Sequence, residues 1–389
     1  MRMPVVGLFD PQNGIRPNSA ALHRARDWEL LALDGAACSV QDAVAVVVAV
    51  DDQRGAGVRF LRAMKKRNSP AGRVLVCDAD AAVRAVARGE PAHQTVTGRS
   101  PQKVAAAVRR ALGVSALLSD PVVTAAVADL GDVPTIPQTW RKLSAVLESD
   151  TASMREAAAV IESDVGLAVR VLQLVNSGMY GLSRPVSSLG HAVNLLGLQM
   201  IRDLVLAIDV LDDLSSVDLP PELAPIPLPR LSQLVALTAR KVAPRAATDA
   251  AFTAGLLANL GRLMLVARAR ERYAQVIASS RSFSDLSVQE RAVFGSDGRT
   301  IGAWLIARWG LPHEVVDAVR YSDHPERATG RAAPLALSVY LASVLVQEAA
   351  HERRSHQPLA LVSRADLAPW GMGDALESWR GHVRGLLAS

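Results

Sequence analysis

Short, continuous runs of apolar residues recur through the first third of the chain, with amphipathic stretches between them. Runs of this kind are typical of strands in a parallel sheet that is buried on both faces. The pattern predicts five strands, over residues 5–9, 28–33, 43–50, 73–77 and 94–97. Because these strands alternate with helical patterns, we predict a doubly wound, flavodoxin-like α/β domain over residues 1–113.

The last helical pattern of this region has a defined start and a defined end. Ser100 is suited to the N-cap and Pro101 to the first helical position, and Gly113 is expected to end the helix. Residues 114–134 then predict a linker helix that breaks at the prolines near its end.

The strand pattern disappears after the linker, and helical caps replace it. Ser153 and Glu156 have the spacing of a capping box, and Gly197 is expected to end a helix that follows Ser188. Residues 252–265 are apolar on nearly every side, which predicts a central helix buried by its neighbours. We therefore predict an all-α domain core over residues 135–330 and a helical extension over residues 331–389 that packs on it.

Composition narrows the class of protein. The chain has 389 residues, of which 50% are hydrophobic and 21% are charged, the balance of a soluble globular protein. Its two cysteines, Cys38 and Cys77, provide neither a disulfide framework nor a metal cluster. There is no signal-peptide pattern, and the longest apolar run, residues 43–50, is too short to span a bilayer. We expect a cytoplasmic protein without membrane insertion.

The charge pattern gives no support for binding to nucleic acid. A formal net charge of +5 is small for this length, and the arginines are spread along the whole chain. No helix-turn-helix with a basic recognition helix is evident. We therefore expect no nucleic-acid partner.

The order and lengths of the predicted strands resemble a response-regulator receiver domain over roughly residues 3–113. The resemblance implies carboxylates that hold Mg²⁺, a phosphoacceptor aspartate, a Ser or Thr, and a Lys, all near strand ends. The matching positions carry Asp10 and Pro11, Ala49, Cys77 and Gly98. Only one carboxylate remains, so we expect a degenerate receiver that is not phosphorylated on aspartate and serves in docking, dimerisation or regulation.

A series of residues in the helical part carries a second resemblance: Asp164, Asn176, Ser177, Tyr180 and Gly197. In this order and spacing, the series is similar to the HDOD (HD-related output domain) family over about residues 134–330. The residues alone favour structural roles, because Asn176 and Ser177 lie where a long apolar helix must end. Ligand binding by Asn176 stays open as the alternative.

HD enzymes place a His and a following Asp on a central helix, with further ligands elsewhere, to hold metals that activate water. The resemblance places Ala258 and Asn259 at this pair and Gly298 at a later His, leaving Asp323 and His324. Catalytic metal sites usually take three or more protein ligands. We therefore expect no metal, no cofactor and no catalysis.

The HDOD family is known for signalling output, often within cyclic di-nucleotide networks. The resemblance implies a non-catalytic bacterial signal-transduction protein that binds other signalling proteins, with a homodimer as one further arrangement. Two alternatives stay open. One is a metal-dependent HD-type phosphohydrolase built around Asp323 and His324, and the other is a cyclic di-nucleotide sensor that uses arginines, for which no characteristic loop is evident.

Overall fold

The computed structural model describes residues 5–9, 29–33, 44–50, 56–66, 71–77, 94–97, 100–131, 139, 142–143, 153–163, 167–168, 171, 188–213, 226–283, 285–309 and 311–388. The chain divides into two units. The first contains residues 1–124 and 304–316, and the second contains residues 125–303 and 317–389.

The first unit contains a sheet of five strands in which all paired strands run parallel. The strands are β1 (Val5–Phe9), β2 (Glu29–Leu33), β3 (Val44–Val50), β4 (Gly72–Cys77) and β5 (Gln94–Thr97). Their order, β2-β1-β3-β4-β5, is the order of flavodoxin-like sheets. The parallel sheet is confirmed. Most of the chain between β1 and β3 and between β4 and β5 lies outside the described residues, so the doubly wound receiver fold stays a prediction.

Helix α1 (Ala56–Lys66) lies between β3 and β4 in sequence, and helix α2 (Pro101–Leu118) follows β5. One face of the sheet shares a hydrophobic core with α2, built from Val6, Leu8, Val46, Val48, Val50, Val74, Val76, Val96, Val104, Ala105, Ala107, Val108 and Ala111. The close approach of β4 to α2 requires glycine at position 72, because a Cβ there would lie 2.3 Å from the carbonyl oxygen of Ala111.

The predicted end of α2 at Gly113 is wrong, because the helix continues to Leu118. Val114, Leu117 and Leu118 are all buried, and their burial outweighs the helix penalty of about 1 kcal/mol for glycine. Asp120 then begins α3 (Pro121–Asp129). Its carboxylate accepts the backbone N–H groups of Val122 at 2.9 Å and Val123 at 3.2 Å.

The rest of the described chain is helical. Its helices are α4 (Met154–Glu162), α5 (Leu189–Asp213), α6 (Leu228–Val242), α7 (Thr248–Leu257), α8 (Leu260–Arg268), α9 (Arg270–Ser279), α10 (Leu286–Phe294), α11 (Gly298–Arg308), α12 (His313–Arg320), α13 (Ala332–Ser355), α14 (Arg364–Leu367) and α15 (Leu376–Ala388). Both halves of the predicted capping box at Ser153 and Glu156 are present at the start of α4.

The predicted central helix over residues 252–265 is buried, as expected, but it is interrupted. The helix α7 ends at Leu257 and α8 begins at Leu260, so the break falls on Ala258 and Asn259. Asn259 has φ −96° and ψ 4°, outside the helical region. The carbonyl of Ala258 lies at this break, between the two regular helices. It can therefore accept a hydrogen bond from a donor outside them.

Among the residues that the structure describes, two helical segments are long and apolar enough to cross a membrane by length and composition alone, residues 245–268 and residues 332–355. The count becomes three if the bent pair formed by residues 103–118 and 121–129 is one span. In the folded chain, 89% and 67% of the two apolar windows are buried. Their apolar composition is thus matched by burial inside a helical core.

The carboxylate of Glu348 on α13 joins α13 to the segment that follows it. It accepts the backbone N–H groups of Leu361 at 2.6 Å and Val362 at 3.0 Å, and it pairs with Arg380 of α15 at 2.9 Å. Trp379, which precedes Arg380 in sequence, is buried, whereas Trp370 is 46% exposed. The end of the chain is therefore fixed to α13 by a buried, charge-assisted contact.

Gly197 interrupts α5 at the place where the sequence predicts a helix end. Its φ of 78° and ψ of 161° lie in a region that is essentially open to glycine alone. A Cβ at this position would meet no atom within 4 Å, so the requirement for glycine comes from backbone conformation and not from space. At the start of the same helix, Ser188 caps the N–H of His191 at 3.3 Å.

We predict that Gly197→Ala lowers the free energy of unfolding by about 1–3 kcal/mol, because alanine cannot adopt this conformation without strain. Gly190→Ala is the matched control, since Gly190 lies in the regular part of α5 with open space around its Cα. The control should stabilise the protein by about 0.5–1 kcal/mol. Thermal and urea unfolding measure both, and equal effects of the two substitutions would contradict the kink.

Candidate functional site

Helices α8 and α11 approach each other so closely that glycines must form the contact. A Cβ on Gly261 would lie 2.1 Å from the carbonyl oxygen of Gly298 and 2.4 Å from the backbone nitrogen of Gly302. A Cβ on Gly298 would lie 2.8 Å from the backbone nitrogen of Arg262. The first turns of both helices are therefore pressed together, and no side chain fits at position 298 unless the backbone moves.

Two buried, oppositely charged side chains meet beside this glycine contact. Arg262 on α8 and Glu290 on α10 form an ion pair of 2.7 Å, and their side chains are 2% and 0% exposed. Glu290 also accepts the hydroxyl of Tyr273 at 2.7 Å and the backbone N–H of Gly298 at 2.8 Å. The Arg262 guanidinium lies 4.6 Å from the centre of the Phe283 ring. Hydrogen bonds and a cation–π contact thus offset much of the desolvation of both charges, while Nη1 of Arg262 is buried without a hydrogen-bond partner among the described residues.

The pKa values of this cluster agree with a fully ionised pair. Burial alone would raise the pKa of Glu290, but the charge of Arg262 and hydrogen bonds from Arg262, Gly298 and Tyr273 hold it below its usual value. Burial would lower the pKa of Arg262, and the charge of Glu290 raises it instead. Burial and the nearby Glu290 raise the pKa of Tyr273, so its hydroxyl stays protonated and donates.

A second buried arginine lies at the start of α11. The side chain of Arg299 is 3% exposed, and its Nε donates to the Asp323 carboxylate at 3.0 Å. Its Nη1 donates to the carbonyl oxygen of Ala258 at 2.7 Å and to the amide oxygen of Asn259 at 3.4 Å. One guanidinium therefore joins the break between α7 and α8 to Asp323, which lies three residues beyond the end of α12.

Ser287 connects the two ion pairs. Its hydroxyl donates to the second carboxylate oxygen of Asp323 at 2.6 Å and accepts from Nη2 of Arg262 at 3.0 Å. Burial would raise the pKa of Asp323, but the charges of Arg299 and Arg262 and hydrogen bonds from Ser287 and Arg299 lower it to about 2. We call this cluster the polar centre; it contains Asn259, Arg262, Tyr273, Ser287, Glu290, Arg299 and Asp323.

The family assignment rests on residues 133–325, which match the model of the HDOD domain. The chain contains an HDOD domain. Every residue of the polar centre falls within the matched range. The match ends at residue 325, two residues after Asp323.

Solved structures of three other proteins are similar to this chain, and the first of them, at a TM-score of 0.50, supports a shared fold. An HDOD domain protein of unknown function from Geobacter sulfurreducens is 20% identical, with 70% of this chain and 99% of that chain covered at a TM-score of 0.50. A protein provisionally named a signal transduction protein, from Marinobacter aquaeolei VT8, is 24% identical, with 66% and 57% covered at a TM-score of 0.47. A protein provisionally named a phosphohydrolase, from Shewanella amazonensis SB2B, is 22% identical, with 70% and 95% covered at 0.47.

One curated relative was found, an uncharacterized protein of Treponema pallidum (strain Nichols). It is 24% identical over 228 residues, which are 58% of this chain. The match spans 44% of the length of that relative, less than half of it. The similarity therefore concerns a part of the relative and not its whole architecture.

The residues that the sequence predicts at the HD positions do not fit a metal centre. Ala258 presents a carbonyl oxygen and a methyl group, and the amide of Asn259 bonds to Arg299 and to Ser232 at 3.5 Å. Position 298 has no side chain and no room for one. Across the part of the chain that the structure describes, no group of three or more His, Cys, Asp or Glu side chains could hold a metal ion.

The two residues that the sequence leaves as HD remnants, Asp323 and His324, point to different surroundings. Asp323 bonds to Arg299 and Ser287 inside the polar centre. The side chain of His324 is 54% exposed, and its Nδ1 lies 3.5 Å from the carboxylate of Glu326. The geometry therefore does not bring these neighbours together as a pair of ligands.

The HDOD signature residues are only partly placed. Asp164, Asn176, Ser177 and Tyr180 lie outside the described residues, so their predicted roles stay predictions. Gly197 is described, and its positive φ shows why glycine is required there. Its role in the domain is therefore conformational at least.

The receiver positions are also only partly placed. Ala49 is fully buried within β3, where it pairs with Phe9 and Leu75, and Cys77 is buried at the end of β4. Asp10, Pro11 and Gly98 lie outside the described residues. The methyl group of Ala49 offers no oxygen for phosphorylation at that position.

Sequence reasoning missed five members of the polar centre: Arg262, Tyr273, Ser287, Glu290 and Arg299. One signal was available in the apolar run that contains Arg262, because a charged side chain on a buried helix needs an opposite charge. The partner, Glu290, lies 28 residues away, and no local pattern indicates it.

We predict that Asp323 makes stability depend on acidic pH. Its pKa falls from 3.8 to about 2 on folding, so its contribution is complete above pH 4 to 5 and is lost as the pH falls towards 2. Allowing for screening of a side chain that is 32% exposed, the contribution is about 1–2 kcal/mol.

The measurement is urea unfolding of the wild type and Asp323→Asn between pH 2 and pH 7. The difference in unfolding free energy between them should shrink as the pH falls below about 4. Asp374→Asn is the control, because Asp374 is exposed on a surface turn. A difference for Asp323→Asn that stays constant over the whole range would contradict the assignment.

Proposed function

We propose that this chain is a bacterial signal-transduction protein whose HDOD domain acts as a non-catalytic platform for other signalling proteins. The observation that carries the proposal is the hydrogen bonding of Arg299. Its guanidinium bonds at once to Ala258, Asn259 and Asp323, the positions at which an HD enzyme would hold its metal. Within the described part of the chain no group of three or more metal-ligating side chains is found, which supports a role without metal-dependent chemistry.

The polar centre supports this proposal by its internal balance. Arg262 and Arg299 carry two positive charges, and Glu290 and Asp323 carry two negative charges. The hydrogen bonds of these four side chains are directed at one another, at Asn259, Ser287 and Tyr273, and at backbone groups. A centre of this kind fixes helices in place, and it leaves the surface of the domain as the part that meets partners.

The same proposal extends to the first unit, which we propose is a receiver-like module that regulates or docks without phosphorylation on aspartate. The order of the five parallel strands and the alanine at position 49 support it. The proposal also includes a cytoplasmic location without membrane insertion. It includes no nucleic-acid partner and no cofactor, and it includes binding to other signalling proteins or to a second copy of the chain. The burial of both long apolar helical segments supports the absence of insertion.

A metal-dependent HD-type phosphohydrolase is the alternative to be tested, and a cyclic di-nucleotide sensor is the next. We predict that the purified full chain, supplied with Mn²⁺ or Fe²⁺, holds no stoichiometric metal. It should hydrolyse bis-p-nitrophenyl phosphate and cyclic di-GMP no faster than Asp323→Asn does, because neither form has a metal-activated water.

Metal analysis by mass spectrometry and a phosphate-release assay make this measurement. Glu290→Gln serves as a second comparison, since it alters the polar centre without touching Asp323. Turnover in the wild type that Asp323→Asn abolishes would overturn the non-catalytic role. Binding of cyclic di-GMP without turnover would replace the platform by a sensor.

A further inference from the structure

Three oxygen atoms from three different residues converge on the guanidinium of Arg299. They are the carbonyl oxygen of Ala258 at 2.7 Å, the amide oxygen of Asn259 at 3.4 Å and a carboxylate oxygen of Asp323 at 3.0 Å. Backbone carbonyl, amide and carboxylate oxygens are the donors that surround bound cations in proteins. The surroundings of Arg299 therefore have the chemistry of a cation site.

The break between α7 and α8 is what makes the site. It turns the carbonyl of Ala258, at the end of one helix, and the amide of Asn259, at the start of the next, towards the same guanidinium. The Ala258 carbonyl lies where the regular hydrogen-bond pattern of α7 ends, so it can accept a hydrogen bond from another donor.

The other side of the site is closed by backbone. Gly298 precedes Arg299, and a Cβ at position 298 would lie 2.8 Å from the backbone nitrogen and 3.0 Å from the Cα of Arg262. A ligating side chain therefore cannot enter from position 298. The guanidinium of Arg299, which is 3% exposed, is the group that α11 supplies to the site.

We propose that the oxygens of Ala258, Asn259 and Asp323 form a cation site whose cation is part of the chain. Arg299 occupies it, and once its side chain is removed the same oxygens bind a free guanidinium-type cation. The inference goes beyond the proposed function, because it concerns what this site binds and does not depend on whether the protein turns over a substrate. The planar fork of a guanidinium matches oxygens in several directions better than a compact ammonium does.

The test uses Arg299→Ala in the full chain with methylguanidinium as the probe. Removing Arg299 leaves Asp323 without its charge partner, so the melting temperature should fall by about 6–15 °C. Methylguanidinium at roughly ten times its Kd should restore about 3–6 °C of that loss. The wild type should show no such gain.

Two controls separate binding from general effects of the additive. Methylurea has nearly the same shape without the charge, and it should not restore stability. Arg270→Ala removes an exposed arginine at the start of α9, so its melting temperature should stay close to that of the wild type and should not respond to methylguanidinium. A gain of equal size in the wild type and in both variants would overturn the proposal.

A second pair of variants tests the role of charge and also covers a failure of Arg299→Ala to fold. Asp323→Asn should lower the melting temperature of the wild type, because it leaves Arg299 short of a charge partner. In the Arg299→Ala background the same substitution should raise it, or restore soluble protein, because it removes the unpaired carboxylate. If Asp323→Asn lowers stability equally in both backgrounds, Arg299 is a packing residue and the proposal fails.

Phosphate release by the wild type would count against the proposed function. The melting temperatures would still decide whether the cation site exists. Recovery of Arg299→Ala by methylguanidinium would stand with either outcome. Conversely, a wild type without turnover and an Arg299→Ala variant without recovery would leave the proposed function intact and remove the cation site. The two results are therefore independent.

Discussion

A charge inside a protein must meet an opposite charge, and this requirement fixes the centre of the HDOD domain. Arg262 and Arg299 are buried, and each has one carboxylate partner, Glu290 and Asp323. Removing one partner from such a pair typically costs about 3–5 kcal/mol, a large part of the stability of a domain. Because Ser287 bonds to both pairs, the two behave as one network and not as separate contacts.

The network also explains the positions of the helices that supply it. Arg262 comes from α8, Glu290 and Ser287 come from α10, and Arg299 comes from α11. The backbone contact between α8 and α11 brings the two arginines close to each other. Arg262 bonds to Ser287, and Ser287 bonds to Asp323, the partner of Arg299. Close packing at glycine and charge pairing are thus two parts of one arrangement. The proposed platform role depends on this rigidity, since surfaces that bind partners are best presented by fixed elements.

The sequence predicted the elements of this fold better than the site. All five strands begin within one residue of their predicted starts, and β1 and β5 match throughout, because buried parallel strands produce continuous apolar runs. The capping box at Ser153 was equally local and was confirmed. Gly113 misled, because burial on both sides of it overrides a weak helix propensity.

The polar centre could not be predicted from local pattern, because its partners are far apart in sequence. Arg262 and Glu290 are 28 residues apart, Arg299 and Asp323 are 24 apart, and Arg299 and Ala258 are 41 apart. The sequence predicted that Ala258 and Gly298 replace HD ligands, but it did not indicate that the guanidinium of Arg299 bonds to Ala258. Arg299 lies in a short polar stretch of sequence at the start of α11, where an exposed side chain is the ordinary expectation.

The most direct test of the account is anomalous diffraction from crystals of the full chain grown with Mn²⁺ at neutral pH. We predict continuous density for the Arg299 guanidinium between the Ala258 carbonyl and the Asp323 carboxylate, with no manganese peak in the polar centre. A manganese peak beside Asp323, with Arg299 turned away from it, would contradict the account.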